Sequence, residues 1–392
     1  MNDYTDILLN TQTLVRFPSI TPNDHGTHAW IADALSIFGY TCQSIDHDGV
    51  TNLLAVPKQG LNSETLLFVG HSDVVPVAGQ TWSYDPFAGI IDKDYLIGRG
   101  TVDMKASIAA MITAIATLYQ QKQYANIALL ITSNEEGDKH FGIEYVLKHH
   151  GQTLDAIQYV LIGEPTSVNQ IGDTIKVGRR GSLNLTLKLN GPSEHVAYSD
   201  PSHNVVHIMN HLVHTITQTT WGDAHPHFQD TQMTVVGMHA NSDVFNVTSS
   251  TCHANINWRY NPSLTSAMIV DQINAIIDAT PLSHCSIETN WYATANPFYS
   301  KHMDLANRIA QCIATQTNDL PQQSTAGGTS DARFFDTEKH QVVEFGPRHA
   351  YAHQPNERIH INELKQLANI YLSIANAFSH DMHHEALDHL VR

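Results

Sequence analysis

The stretch "IALLITSNEEGD" (127–138) decides the fold. An apolar run from Ile127 to Ile131 has no polar face, and it stops at Ser133, Asn134, two adjacent glutamates and a glycine. A short, continuously apolar run bounded by turn residues predicts a strand buried on both faces. Glu135 and Glu136 then stand side by side where that strand ends, and like charges so close resist ionising together unless something positive lies between them.

Working outward, the pattern recurs. "TLLFVG" (65–70), "YVLIG" (159–163) and "QVVEFG" (341–346) predict further buried strands. Helical spacing predicts helices near 4–16, 26–38, 103–121, 140–149, 302–316 and 362–379. Short buried strands separated by helices predict an α/β domain, a sheet covered by helices on both faces. The pattern changes at residue 181, because "SLNLTLKLN" (182–190) alternates strictly and predicts a half-exposed strand. A helix (203–218), strands near 231–240 and 250–260, a helix (264–280) and a strand near 285–292 follow. That order, βαββαβ, predicts a ferredoxin-like α+β domain with free sheet edges. Residues 181–293 are therefore expected to form a domain inserted into one built from 1–180 and 294–392.

Composition limits the functions. The 392 residues suffice for two or three domains. A formal net charge of −17 argues against nucleic acid or an anionic membrane as the main partner. No apolar run has the length of a membrane span, and the acidic start "MNDYTDILLNTQTLVRF" lacks the basic region and cleavage site of a signal peptide. Cys42, Cys252, Cys285 and Cys312 are scattered without a CxxC pair and read as reduced, which fits the cytoplasm. With 26 histidines in the chain, no single histidine is informative without its context. His380, His383 and His384 in the tail have helical spacing and read as a solvated helix end.

Each predicted strand of the first domain ends in groups able to bind a metal. "GHSDVVP" carries His71 and Asp73, "GRGTVDMK" carries Asp103, "SNEEG" carries Glu135 and Glu136, "GEPT" carries Glu164, and "GPRHAYAHQPNE" carries His349 and His353. Any one of these is more often a cap or a surface feature, but ligands gather beyond the carboxyl ends of strands in α/β sheets, and the repetition points there. Two imidazoles with several carboxylates and no cysteine suit a catalytic metal with open positions.

These motifs, in this order, resemble the dinuclear zinc deacylase and carboxypeptidase family, and most closely its branch that hydrolyses the succinyl amide of N-succinyl-LL-2,6-diaminopimelate. "GRRGS" (178–182), "EHVAY" (194–198) and "GGTSDARF" (327–334) extend the resemblance over essentially the whole chain. The resemblance implies a zinc-peptidase-like catalytic domain with an inserted dimerisation and lid domain, and a homodimer formed through the insert. It implies two Zn²⁺ per subunit, with Co²⁺ as a substitute: His71 and Glu164 on one ion, Glu136 and His353 on the other, Asp103 bridging. Asp73 would orient His71, and Glu135 would be the general base. Two divalent ions against three carboxylates leave about one net positive charge for hydroxide and the developing oxyanion. His195 would reach the oxyanion from the partner subunit. Arg179, Arg259, Tyr198, Asn246, Gly328 and Thr329 match positions that hold substrate. Two positions depart from the desuccinylase pattern: Asn134 stands where an aspartate is usual, and His349 where an asparagine is usual. The alternatives are a related acetylornithine deacetylase, aminoacylase or dipeptidase, and, from another class, a metal-stabilised dimer without catalysis.

Overall fold

The computed structural model describes residues 4–137, 141–242 and 244–381. The chain divides into two compact units. One comprises the chain up to Val177, Tyr299–Ser324 and the part from Ser330 onward; the other comprises Gly178–Phe298 and Thr325–Thr329.

The first unit is built on an eight-stranded mixed sheet in the order Tyr40–His47, Val50–Pro57, Ile127–Thr132, Leu66–His71, Tyr159–Ile162, Gln341–Glu344, Thr174–Lys176, Gln322–Ser324. Its four central strands run parallel, and Ile127–Thr132 and Leu66–His71 are buried at every residue. The register pairs His71 with Thr132, Val69 with Ile162, and Ile162 with Glu344. All four carboxyl ends therefore stop at nearly one level, and the residues that follow them converge.

The helix Lys105–Gln120 packs against Leu66–His71 and between the helices Ile7–Arg16 and Ile361–Ala377. Its run of alanines lets it be buried on nearly every side. Among the described residues, no helix is long and apolar enough to cross a membrane.

The second unit is the expected βαββαβ arrangement, with an antiparallel sheet in the order Gln232–Ala240, Thr251–Tyr260, Gly181–Asn190, Ser286–Ala295. Leu183, Leu185, Leu187 and Leu189 pack with Cys252, Ala254, Ile256 and Trp258 and with the apolar faces of the helices Val205–Gln218 and Ser266–Asp278. The edge strand Gln232–Ala240 leaves Val236 68% and Met238 47% exposed.

Several elements differ from the sequence reading. The hairpin of Tyr40–His47 with Val50–Pro57 lies where no strand was expected; its turn, Asp48–Gly49, has positive φ at both residues, the geometry that Asp-Gly favours. A small sheet of Ile90–Asp92, Tyr95–Ile97 and Arg358–His360 was also missed. The last described helix ends at Ala377, and Ser379–Asp381 instead pairs as a strand with Gln123–Ala125. His380 thus belongs to a strand rather than a helix end; His383 and His384 lie outside the described residues.

Candidate metal centre

Glycines set the approach of the elements that carry the charged groups. A Cβ on Gly70 or on Gly163 would lie 2.5 Å from Cε of Met104, and one on Gly346 would lie 2.5 Å from the Glu164 carbonyl. At Gly163 a Cβ would also lie 2.7 Å from Cβ of Ser107, so glycine there lets the helix Lys105–Gln120, whose preceding turn carries Asp103, sit close on the strand ends.

His71, the last residue of its strand, is buried. Its Nδ1 lies 2.9 Å from the backbone carbonyl of Asp73 and 3.6 Å from the Asp73 carboxylate. The carbonyl is the nearer acceptor for an Nδ1 proton, and Nε2 faces Asp103 Oδ1 (3.0 Å) and Glu164 Oε1 (3.7 Å). The Asp73 carboxylate has a second task, accepting from the backbone amides of Glu135 (3.2 Å) and Glu136 (3.1 Å). A carboxylate that lies beside His71 thereby also fixes the backbone of the paired glutamates.

The other half of the cluster is organised by His353. Its Nε2 lies 2.7 Å from Glu136 Oε1 and 3.2 Å from Asp103 Oδ2. Asp103 therefore presents one oxygen to each imidazole. Ligand atoms of His71, Asp103 and Glu164 lie within 4.8 Å of one another, as do those of Asp103, Glu136 and His353, and those of His71, Glu135 and Glu136.

The electrostatics describe a place that favours positive charge. Hydrogen bonds to Asp103 and Glu136 push His353, a half-exposed side chain, up to about 10 against its partial desolvation. Burial disfavours a charged His71, but Asp103 and Asp73 outweigh it and hold the imidazole well above its ordinary value. Burial would raise Asp103, yet the hydrogen bonds from His353 and His71 hold it below the usual carboxylate range. Glu164 is raised by burial and by the charges of Asp103 and Glu135. A cluster of oxygen and imidazole donors, without sulfur and with one carboxylate between two groups of ligands, fits a pair of divalent cations.

Asn134 is buried, and its Oδ1 accepts from Thr21 Oγ1 at 3.4 Å. His349 is exposed, with Nδ1 2.9 Å from the Ser167 carbonyl.

The remaining candidates belong to the second unit. Arg179 is buried and lies against Gly327, where a Cβ would come 2.4 Å from its Nη1 and where φ is +113°. Gly328 and Thr329 follow on the same segment, and Gly328 is exposed. Arg259 is held below its ordinary value by burial, and Arg180 by burial and the charge of Arg259. His195 and Asn246 lie on two exposed loops joined by a bridge between His195 and Val247 and by the Val196 amide on the Asn246 carbonyl (3.0 Å). Tyr198 is 88% exposed. Glu194 anchors the first loop by accepting from the Asp200 amide (2.9 Å) and meeting His203 Nδ1 (3.1 Å). Pattern reading missed Glu194 and the buried pair Arg99 and Glu357, since nothing local in the sequence marks a partner that folding brings in.

Comparison with known proteins finds relatives over nearly the whole chain. The profile described as peptidase family M20/M25/M40 matches residues 67–377. The succinyl-diaminopimelate desuccinylase of Acinetobacter baylyi is 34% identical over 376 residues, covering 95% of this chain and 98% of that protein. Among solved structures, a tripeptidase from Staphylococcus aureus superposes with a TM-score of 0.75 at 21% identity, covering 96% of this chain and 99% of its own. A Bacillus subtilis protein described as a dinuclear metal-binding peptidase does so with a TM-score of 0.65 at 12% identity, covering 95% and 97%.

Proposed function

Because the chain belongs to peptidase family M20/M25/M40, a family of metal-dependent hydrolases, we propose that it hydrolyses N-succinyl-LL-2,6-diaminopimelate to LL-2,6-diaminopimelate and succinate. That reaction would place it in lysine and cell-wall precursor synthesis in the cytoplasm. The observation that carries the reading is Asp103, whose two oxygens face His71 at 3.0 Å and His353 at 3.2 Å.

We assign one Zn²⁺ to His71, Asp103 and Glu164 and a second to Asp103, Glu136 and His353, with Co²⁺ able to replace them. When bound, the ions polarise the scissile carbonyl and bring the acidity of water toward neutral pH. Glu135 then takes the proton of the attacking water and returns it to the leaving amine. The Asp73 carboxylate keeps Glu135 in place through its backbone amide. His195 of the partner subunit donates to the oxyanion. The homodimer this requires would form through the inserted unit, whose edge strand Gln232–Ala240 carries the exposed Val236 and Met238.

The substrate's three carboxylates are matched to arginines, Arg179 and Arg259, because a guanidinium grips a carboxylate with two hydrogen bonds. Tyr198, Asn246, Gly328, Thr329 and His349 complete the proposed substrate contacts.

The test is hydrolysis of N-succinyl-LL-2,6-diaminopimelate beside N-acetylornithine and a simple dipeptide by zinc-loaded protein, with Glu135→Gln as the blank. Strong preference for the succinyl substrate supports the proposal. Preference for either other substrate would overturn the specificity, and "RHAYAH" (348–353), with His349 in place of asparagine, would then mark a different acyl group.

A further inference from the structure

Beneath the metal centre lies a buried ion pair with no part in the mechanism above. Glu357 is fully buried and Arg99 is 1% exposed. One oxygen of Glu357 accepts from Arg99 Nη1 (2.7 Å) and the Gly100 amide (3.0 Å); the other accepts from the amides of Val102 (2.8 Å) and Asp103 (3.1 Å). A single carboxylate thus gathers the donors of the turn that ends in Asp103.

Arg99 faces the other way as well. Its Nη1 donates to the Gln354 carbonyl (3.3 Å), and its Nη2 donates to Gln80 Oε1 (2.7 Å) and the His353 carbonyl (3.4 Å). Gln80 Nε2 reaches the same His353 carbonyl at 3.2 Å. His353 has φ +62°, a left-handed conformation that side chains other than glycine rarely hold without support. The two segments that supply Asp103 and His353 are separated by hundreds of residues, and this bracket joins them.

We propose that Arg99, Glu357 and Gln80 are positioning residues that set the spacing between Asp103 and His353, and so the affinity for the ion those two residues share. The inference rests on the metal assignment made under Proposed function. Support of this kind behind a ligand typically changes metal affinity or activity by about 10–100-fold. A buried carboxylate and guanidinium suit the task because each leaves the other uncompensated if it moves.

The experiment titrates the metal-free protein with Zn²⁺ against a chromophoric chelator, counting ions per chain and measuring both affinities. It compares the parent with Glu357→Gln, Gln80→Ala and His353→Ala, and follows the melting temperature of each metal-free variant. Glu357→Gln loses the charge that four donors share, and is expected to weaken the ion held with His353 by about 10–100-fold and the other ion, which shares only Asp103 with this bracket, by less. Its kcat falls at limiting zinc and recovers with excess zinc, at unchanged KM. Gln80→Ala keeps the ion pair and, from a partly exposed position, is expected to weaken the same ion by several-fold with the fold intact.

If both variants titrate like the parent while only their melting temperatures fall, the pair is structural and the inference is overturned. If His353→Ala still binds two ions as tightly as the parent, the ligand assignment itself fails, independently of what Glu357→Gln does.

Discussion

The end of the strand Ile127–Thr132 and the loops that carry His195 and Asn246 are opposites in how they hold functional candidates. At the strand end, Asp73, Glu135, His71 and Asp103 are each less than 10% exposed, and Asp73 alone meets an imidazole and two backbone amides. On the loops, Tyr198 is 88% exposed and Phe245 fully so, and the His195 ring accepts from the Ala197 amide at Nδ1 (3.2 Å) and lies 5.5 Å from the exposed Tyr198 ring. Carboxylates packed together must be braced from inside the fold, since each would otherwise move away from the next. A side chain that acts on a second body can stand in solvent until that body arrives. The difference therefore separates what one chain can organise alone from what, on our proposal, needs two.

The sharpest way to break the comparison is at the braced end. Glu135→Gln should lower kcat by about 10³–10⁴-fold, the upper range for a lost general acid–base group, while metal analysis still finds two ions per chain. Unchanged turnover would remove Glu135 from the chemistry. His195→Ala should follow, with about 10²–10³-fold lost from kcat, as for a lost oxyanion donor, and a change in unfolding free energy within about 0.5 kcal/mol because the residue is exposed. If the loop serves a partner, mixing the Glu135→Gln and His195→Ala chains should restore activity in mixed dimers, where one site has both groups intact. No recovery after subunit exchange would place His195 outside the reaction.

Arg179 lies between the two regimes, being buried but in the second unit. Arg179→Ala should raise KM for the succinyl substrate by about 10–100-fold, the value of a charge-assisted hydrogen bond, with a smaller effect on a neutral acyl substrate. Equal effects on both would mean that the side chain only supports Gly327.

How far each region could be read in the sequence follows the same division. His71, Asp103, Glu135, Glu136 and Glu164 were legible because each lies within a few residues of an apolar run or a helix start, and the topology brings those ends to one level. The bracket was not legible: Arg99 and Glu357 are 258 residues apart, and no local pattern links them. The conduct of Asp73 was hidden for another reason. A carboxylate two residues after a histidine suggests a side-chain partner for the ring, whereas the backbone turns so that the carbonyl is nearer and the carboxylate caps the glutamate amides. The strand Tyr40–His47 escaped because most of it is solvent-facing, which blurs its alternation.

The smallest expected effect tests the bracing through pH. His28 is buried, its Nε2 is 2.8 Å from Ser72 Oγ, between His71 and Asp73 in the chain, and its Nδ1 has no hydrogen-bond partner among the described residues. Burial lowers its pKa from 6.5 to about 4, against the opposing pull of Asp24 and Asp73. Between those values the unfolded chain takes up a proton that the native one refuses, so this contribution to stability is complete above about pH 7 and is lost as pH falls toward 4. His28 should account for about 1 kcal/mol of loss between pH 7 and 5.5, read by urea unfolding of the metal-free protein as the difference between the parent and His28→Gln, because His71 and His353, both held above their ordinary value, gain stability as pH falls through the same window. Relative to the parent, His28→Gln should therefore lose less stability, or gain more, as the pH falls from 7 to 5.5. If instead His28→Gln follows the parent across this range, this pH response does not originate at the buried His28, and burial at Ser72 is not what distinguishes the braced region from the exposed one.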